Sequence, residues 1–389
     1  MTPSKQLYKP LLILATSAVG IIGLYSSGLL HQSTLLLSFV LVFIGGLLGA
    51  SLNYFHFGFS SSFRALIYNK RTAGMRAILF MLALAILLFS LILATKSVHT
   101  NILVTEHHGF IRPLSLSIPI GAFIFGIGMQ ISCGCTSGTL NRVGQLQPLA
   151  IPTLLFMIVG GTLAAASFDS WRHLPAIEPF AFQQKFSWPT ALALQALLLA
   201  LLWFFLVWLE KQSHGKVEKV FIFKANFIRH PFLAAGLSLA VLNALLFFVS
   251  GSPWSISSVF PFWGTKAIEA MALPIDWHFW DYAMQNQTQL SYGLWQNPVS
   301  LTTMGVILGA LFVTFFHYKK HQKCANKALI ASSLGGLIMG YSAVLASGCN
   351  IGAFFSGIAS GSLHGWVWFV FALLGNIIGI RIRTLYLNN

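Results

Sequence analysis

The chain has 389 residues, of which 56% are hydrophobic and only 8% are charged, and its formal net charge is +15. Soluble proteins carry about 25% charged residues, so this composition cannot cover a water-exposed surface. It excludes a cytosolic enzyme, a secreted module and a disordered protein, and it predicts an integral membrane protein.

Ten apolar runs of about 20 residues predict transmembrane helices, because the strands of a membrane barrel would alternate apolar and polar residues. In chain order, the predicted spans are 10–30, 34–54, 73–95, 114–132, 149–168, 188–209, 230–250, 298–317, 328–346 and 363–380. Two shorter segments, 55–71 and 254–270, precede the third and eighth spans and predict re-entrant half-helices. Five tryptophans between 251 and 297 predict that most of this stretch lies at the outer membrane interface. The predicted fold class is an all-α integral membrane protein.

The basic residues are distributed unevenly between the loops that join these spans. With the N-terminus in the cytoplasm, 18 of the 23 Lys and Arg residues fall on the inner side of the membrane. This bias follows the positive-inside rule, so both termini are predicted to be cytoplasmic. The net positive charge therefore indicates membrane topology, and no nucleic-acid partner is expected.

Two segments, centred on Cys135 and Cys349, are similar to each other at a spacing of 214 residues. The coinciding residues are Gly121 with Gly335, Gly126 with Gly340, Gly134 with Gly348, Cys135 with Cys349, Gly138 with Gly352 and Gly161 with Gly375. The segments lie in the fourth and ninth spans, so the two repeats are predicted to cross the membrane in opposite directions. Inverted repeats are a common plan of transporters, whose substrate site lies where the halves meet. The predicted units are a first half, 1–209, a basic cytoplasmic linker, 210–229, and a second half, 230–389.

Each half contains a Gly-Cys-x-x-Gly motif that interrupts an apolar run. The residues predicted to line a substrate pathway are Gly134, Cys135, Thr136 and Gly138 in the first motif and Gly348, Cys349, Asn350 and Gly352 in the second. Glycine lets the backbone leave the helical conformation at each motif. A helix is then predicted to resume over the amphipathic stretches 137–147 and 351–361. Each stretch would present a helix N-terminus, whose unpaired N–H groups and positive dipole end attract anions. The alternative is that the glycines only allow close packing of helices.

The cysteines leave two interpretations open. A thiol offers a weak S–H donor and a polarizable surface that suits a soft, sulfur-bearing anion. Cys133, which has Ser347 at the equivalent position, could instead form a redox pair with Cys135 in a membrane thiol oxidoreductase. Cys324 lies in a basic loop and is expected to have no role. No metal ion or cofactor is expected, because no histidine is spaced with the cysteines as metal ligands on a helix are.

The stretches GAFIFGIGMQISCGCTSGTLNRVGQ (121–145) and SLGGLIMGYSAVLASGCNIGAFFSGIASGSLHGWVW (333–368) resemble the YeeE/YedE family of sulfur-compound transporters, and 50–80 does so more weakly. The resemblance implies a transporter rather than an enzyme, shaped as an hourglass, which passes thiosulfate along a central line of cysteines. Cys135 and Cys349 match two of those cysteines. It also implies a bacterial inner-membrane protein with a cytoplasmic sulfurtransferase-type partner.

The chain departs from this family at Gly58. Family members commonly carry a further cysteine between two phenylalanines in the first re-entrant segment, and the matching stretch here is Phe57-Gly58-Phe59. A line of three thiols would thus be reduced to two, with Gly58 still on the predicted pathway. Thiosulfate is the first expectation for the substrate, and another sulfur or selenium oxyanion is the alternative.

Overall fold

The computed structural model of the chain describes residues 34–97, 106–220, 231–316 and 326–387, together with Ser17. The elements in chain order are α1 (Thr34–Tyr54), α2 (Phe59–Asn69), α3 (Ala73–Ser97), β1 (Leu114–Ser115), α4 (Ser117–Ile131), α5 (Thr136–Gly144), α6 (Ala150–Ala166), α7 (Asp169–Arg172), β2 (Ala176–Ile177), α8 (Phe182–Lys185), α9 (Trp188–His214), α10 (Pro231–Ser250), α11 (Val259–Ala270), a 3-10 turn (Trp277–Phe279), α12 (Asp281–Gln285), α13 (Gln287–Ser291), α14 (Pro298–Phe316), α15 (Asn326–Leu345), a π-helix (Asn350–Gly357) and α16 (Leu363–Leu387).

The long helices follow the predicted spans closely. Nine of the ten predictions coincide with a helix that begins within three residues of the predicted start. The span predicted over 10–30 lies outside the described residues, apart from Ser17. Eight helical stretches of the described chain are long and apolar enough to cross a membrane, and α6 is a shorter apolar helix. The protein is therefore an all-α, multi-pass membrane protein.

Two of the short helices correspond to the predicted half-helices. α2 has 11 residues and α11 has 12. At a rise of 1.5 Å per residue, each is about 17 Å long, which is roughly half of the 30 Å hydrocarbon core. Neither can cross the membrane alone, so their re-entry from one side stays a prediction that their length permits.

Helix contacts recur when the first six helices are matched to the second half. In this match, α1, α3, α4 and α6 correspond to α10, α14, α15 and α16. The contact of α1 with α14 then corresponds to that of α10 with α3, and the contact of α6 with α15 corresponds to that of α16 with α4. An added Cβ at Gly121 would meet Ala346, and one at Gly335 would meet Ser132, which are reciprocal contacts at the 214-residue spacing. These pairs support the predicted repeat, while the opposite orientation of its halves and the hourglass shape stay predictions.

The structure shifts one pairing of the repeat by a single residue. Gly375 of α16 packs against Phe123, and Gly160 of α6 packs against Leu337. Gly375 is thus equivalent to Gly160, whereas the sequence alignment paired it with Gly161, which instead packs against the Phe260 side chain. The π-helix between α15 and α16 explains the shift, because its wider turn accommodates one residue more than the matching α5.

Several described loop residues that the charge distribution assigns to the same side of the membrane contact each other. On the predicted outer face, Arg172 forms an ion pair with Asp281 at 3.0 Å. Strands β1 and β2 pair on the same side. On the predicted inner face, the His214 ring bonds to the Asn69 carbonyl at 2.8 Å. These contacts agree with the predicted sides, while the cytoplasmic location of the termini stays a prediction.

The stretch between α10 and α14, most of which is predicted to lie at the outer interface, also contains a tryptophan that is buried in the protein. Trp254 is fully buried, whereas Trp295 is 71% exposed. The Trp254 amide donates to Asn243 at 2.8 Å, and its carbonyl accepts from Ser356 at 2.7 Å. These two polar side chains hold the backbone at Trp254 inside the protein, and the indole packs in the core.

A buried ion pair joins α3 to α9 near the predicted inner face. Arg76 Nη2 lies 2.9 Å from Glu210 Oε2, and both side chains are at most 4% exposed. Removing one partner leaves a buried charge unpaired, so Glu210→Gln should lower the free energy of unfolding by about 3–5 kcal/mol. The measurement is thermal unfolding in detergent.

The matched control is Glu269→Gln, which breaks the more exposed pair with Lys266. That change should cost less than about 1 kcal/mol because solvent screens the pair. The double variant Arg76→Met with Glu210→Leu should recover most of the loss. An unchanged melting temperature for Glu210→Gln would contradict a structural role for this pair.

Candidate functional site

Both Gly-Cys motifs begin where a long helix ends in a left-handed residue. That residue is Cys133 after α4, with φ 62°, and Ser347 after α15, with φ 52°. In each case the next glycine amide donates five residues back, to the Met129 carbonyl at 3.1 Å and to the Ala343 carbonyl at 2.8 Å. This hydrogen-bond pattern is the Schellman motif, and it ends both helices at equivalent points.

The first cysteine then starts a new helix. Cys135 has an extended backbone and is the N-cap residue of α5. Its sulfur accepts a hydrogen bond from the Gly138 amide at 3.4 Å and lies 3.4 Å from the Ser137 hydroxyl. The thiol therefore occupies the position in which an N-cap side chain meets the unpaired N–H groups of a helix.

The second cysteine occupies the equivalent position. Cys349 is extended and is the N-cap residue of the π-helix. Its thiol lies beside the backbone amides of Ile351 and Gly352 and the hydroxyl of Thr136, which belongs to the other motif. π-helical turns are rare and occur mostly at functional sites.

The fold brings the two motifs together. α5 and the π-helix are in contact, and Cys135 and Cys349 are near enough to interact electrostatically. Cys135 is 2% exposed and Cys349 is fully buried. Two helix N-termini from equivalent points of the repeat thus meet at two buried thiols.

Two polar side chains at this meeting point lack partners. Thr136 and Asn350 occupy equivalent positions after the two cysteines, and both are fully buried. The Thr136 hydroxyl and both amide atoms of Asn350 have no hydrogen-bond partner among the described residues. An unsatisfied buried polar group costs about 1–3 kcal/mol, so such a pair requires an explanation. A bound polar ligand would supply the missing hydrogen bonds.

The motif glycines differ from the glycines that pack helices together. A Cβ at Gly336, for example, would lie 2.4 Å from the Thr153 carbonyl of a neighbouring helix. At Gly134 it would lie 2.5 Å from the Arg142 guanidinium, and at Gly348 2.6 Å from the Ala353 amide of the same motif. The packing alternative therefore fails to describe the contacts of these two glycines.

Gly58 lies at the start of α2 as its N-cap residue. Its φ of −153° is open to any residue, and an added Cβ would meet only the Ser61 hydroxyl, at 2.9 Å. α2 packs on the π-helix through Phe59 and Phe63, whose ring centroids lie 6.1 and 6.2 Å from that of Phe354. The structure thus brings the helix that begins at Gly58 to the second motif, and it shows no contact of Gly58 with either thiol.

Sequence analysis missed two groups beside the motifs. Arg142 donates from Nη2 to the Ser132 carbonyl at 3.1 Å and so lies over Gly134. On the predicted outer side, the ring of His364 lies against Gly357 and bonds to the Ser362 hydroxyl at 2.7 Å. Arg142 could have been recognised in the sequence, because it is an isolated charge two helical turns after Cys135.

The remaining cysteine and metal predictions can be placed on the structure. Cys133, Cys135 and Cys349 are free thiols, while Cys324 lies outside the described residues. The Cys133 thiol contacts the Ile131 carbonyl at 3.8 Å, whereas the Cys135 sulfur contacts Gly138 and Ser137. Within the described ranges, no three His, Cys, Asp or Glu side chains come together as metal ligands.

Known proteins similar to this chain are transporters. The chain is 27% identical to the thiosulfate transporter TsuA of Spirochaeta thermophila over 351 residues, which cover 86% of this chain and 95% of that protein. It is 24% identical to the thiosulfate transporter TsuA of Escherichia coli, over 67% of this chain and 72% of that protein. The probable transporter YedE of Salmonella typhimurium is 24% identical over 39% of this chain and 37% of its own length.

A family model described as sulphur transport matches residues 56–378, which is more than half of the chain. The match includes both Gly-Cys motifs and the half-helix α2. It makes the protein a transporter of sulfur compounds rather than an enzyme. The chain belongs to the sulphur transport family, which includes the YeeE/YedE proteins.

Proposed function

We propose that the protein takes up a small sulfur-containing anion, thiosulfate first, past the thiols of Cys349 and Cys135 and across a bacterial inner membrane. The observation that carries this proposal is the meeting of two helix N-termini, each of which has a buried cysteine as its N-cap residue. The family match and the names of the two TsuA relatives support a sulfur anion as the substrate.

An anion that enters the protein interior must exchange its water for other partners. Each helix N-terminus carries about half a positive charge, and the two thiols add weak S–H donors. Thr136 and Asn350 add the unpartnered hydroxyl and amide. None of these groups is a fixed cation, so the anion is stabilised without being held too tightly to leave.

The described arrangement is a closed one, because both thiols are shut off from solvent. One side chain from each predicted face, Phe110 from the outer and Arg142 from the inner, lies against a motif. A Cβ added at Gly352 would lie 3.2 Å from the Phe110 ring, and the Arg142 guanidinium covers Gly134. An anion that moves from the outer face to the inner face displaces first Phe110 and then Arg142.

The alternatives have weaker support. A redox pair of Cys133 and Cys135 leaves the equivalent burial of Cys349 without a role, and the two thiols contact different groups. Because Gly58 stands in place of the family's further cysteine, another sulfur or selenium oxyanion is the alternative substrate. On the cytoplasmic side, a sulfurtransferase-type protein would receive the anion.

Uptake of radiolabelled thiosulfate into liposomes tests the proposal directly. Liposomes that contain the purified full-length protein should accumulate label at a rate that saturates with thiosulfate concentration. Sulfate should compete less well than unlabelled thiosulfate, because it has no terminal sulfur to contact the thiols. Protein-free liposomes are the control.

Competition with selenite and sulfite separates the substrate alternatives in the same assay. Stronger competition by either anion than by thiosulfate would keep the transporter and change its substrate. Label that never exceeds the level in protein-free liposomes, for any of these anions, would contradict the proposed function.

A further inference from the structure

The Phe110 ring, on the predicted outer face, contacts both an arginine and the second Gly-Cys motif. At the tip of the ring, a Cβ added at Gly352 would lie 3.2 Å from the ring and 3.3 Å from the Ser255 hydroxyl. Over the ring, the Arg112 guanidinium carbon lies 4.8 Å from the centroid. A charged side chain of the outer face therefore holds the ring that covers the motif.

The backbone at Phe110 is anchored, whereas its side chain is not enclosed. The Phe110 amide donates to the Ser360 hydroxyl at 2.8 Å, in the loop that follows the π-helix. Gly109 packs on the same serine, because a Cβ there would lie 3.1 Å from the Ser360 side chain. The Phe110 side chain is only half-buried. Its ring can therefore turn to another rotamer while these backbone contacts stay in place.

Arg112 is available to a ligand. It is exposed, and none of the ion pairs among the described residues includes it. A guanidinium group donates paired hydrogen bonds to the oxygens of an oxyanion, and these charge-assisted bonds are stronger than an exposed cation–π contact. An oxyanion at Arg112 therefore competes with the Phe110 ring for the guanidinium.

Two polar groups beside the ring suit an anion that has passed it. The His364 ring lies 5.7 Å from the Phe110 ring, centroid to centroid. Its buried Nε2 atom has no hydrogen-bond partner in the part of the chain that the structure describes. His364 Nδ1 is paired with the Ser362 hydroxyl at 2.7 Å, and when that hydroxyl donates, Nε2–H is a free donor. The half-buried Ser255 hydroxyl provides the second group.

We propose that Arg112 captures the transported anion at the outer face and that Phe110 is the gate which this capture opens. The anion draws the guanidinium off the ring, the ring turns away from the second motif, and the anion moves past Ser255 and His364 toward Cys349. The ligand is a small oxyanion, because guanidinium, hydroxyl and imidazole N–H groups all donate to oxygen. That it is a transported sulfur compound rests on the proposed function, whereas the gate rests on the contacts of Phe110.

Labelling of the Cys349 thiol tests the gate without transport. Full-length protein in detergent is treated with N-ethylmaleimide, and peptide mass spectrometry follows Cys349, which is fully buried in the closed arrangement. Phe110→Ala should raise the labelling rate about tenfold or more, because the ring no longer covers the motif. Phe110→Leu, which keeps apolar packing, should give a smaller rise. Phe279→Ala removes a ring that is 78% exposed, so this control should leave the rate unchanged.

An anionic reagent tests capture by Arg112. In the Phe110→Ala protein, 2-sulfonatoethyl methanethiosulfonate is compared with the neutral N-ethylmaleimide. Adding Arg112→Gln should slow labelling of Cys349 by the sulfonate about tenfold and leave the neutral reagent unaffected, because only the sulfonate is attracted by the charge. Arg112→Lys should restore most of the rate. The matched control, Lys185→Gln, removes a charge from another exposed position of the predicted outer face and should change neither rate.

Thiosulfate uptake into liposomes relates capture to transport in protein that retains Phe110. Arg112→Gln should raise the KM about tenfold with little change in Vmax, because it removes a charge-assisted contact with the arriving anion. Lys185→Gln should change neither value. A purely structural role of Arg112 would instead lower the amount of folded protein, which size-exclusion profiles report.

Three outcomes would overturn the proposal. Equal labelling of Cys349 in wild-type and Phe110→Ala protein contradicts the gate. Equal effects of Arg112→Gln and Lys185→Gln on the sulfonate reagent contradict capture, and so does uptake with the same KM in these two variants. Protein that behaves as expected in both labelling tests but takes up no thiosulfate supports the gate and contradicts the proposed function.

Discussion

Replacing Cys349 by alanine should slow thiosulfate uptake about five- to hundredfold, and Cys135→Ala should have a similar effect. Each change removes one S–H partner from a dehydrated anion, a loss of roughly 1–3 kcal/mol at the barrier. Serine at either position keeps a donor but makes it hard and strongly hydrated. Uptake by the Ser variants should therefore fall less, or shift toward sulfate. The measurement is the initial rate of thiosulfate uptake into liposomes for each Ala and Ser variant.

The other cysteines supply the controls for this series. Cys133→Ala should change uptake little, because its thiol contacts the Ile131 carbonyl rather than the N-terminus of α5. Cys324→Ala should change nothing. A redox mechanism orders the variants differently, with Cys133 and Cys135 equally essential and Cys349 dispensable. Full uptake by Cys349→Ala would contradict the thiol pathway.

Alanine at Gly348 should reduce uptake far more than alanine at Gly134. Gly348 has a φ of +154°, and a Cβ there would lie 2.6 Å from the Ala353 backbone amide. The strain, of order 1–3 kcal/mol, would move the start of the π-helix, so uptake should fall about five- to hundredfold. At Gly134 the obstacle is the mobile end of Arg142, so uptake should fall less than about threefold. The measurement is uptake per folded protein.

Leucine at either glycine should abolish uptake, because a branched side chain fills the space beside the thiol. Gly46→Ala on α1 is the control, since a Cβ there would find its nearest neighbour, the Gly305 carbonyl, at 3.8 Å. Size-exclusion profiles separate loss of transport from loss of folding. Equal uptake by Gly348→Ala and Gly46→Ala would mean that the backbone break after α15 is not part of the pathway.

The membrane class, the long helices and the positions of the two motifs follow from the sequence because each depends on local properties. An apolar run must match the bilayer thickness, so its ends mark the helix, as the coincidence of 34–54 with α1 illustrates. Glycine beside cysteine likewise marks a helix break wherever the chain is folded. The family follows from the same motifs and is confirmed by the match over 56–378.

The site could be predicted only in part. Their repeat positions predict a shared role for Cys135 and Cys349, and the fold brings them together as the N-cap residues of two helices. The sequence could not show that both polar atoms of the Asn350 amide lack hydrogen-bond partners, because this depends on every neighbouring side chain in the fold. Nor could it show the burial of Trp254, whose backbone amide donates to Asn243 and whose carbonyl accepts from Ser356.

A membrane protein with repeated Gly-Cys motifs can be recognised from the sequence alone, because length, hydropathy and residue spacing are properties of short segments. Its resemblance to the YeeE/YedE family then indicates a transporter. Tertiary structure alone decided the one-residue shift of α16, which depends on a π-helix that no local propensity specifies. It also decided that the two Gly-Cys motifs, which lie 214 residues apart, come into contact through α5 and the π-helix. Contacts of this kind arise from the packing of distant helices, which residue spacing along the chain does not encode.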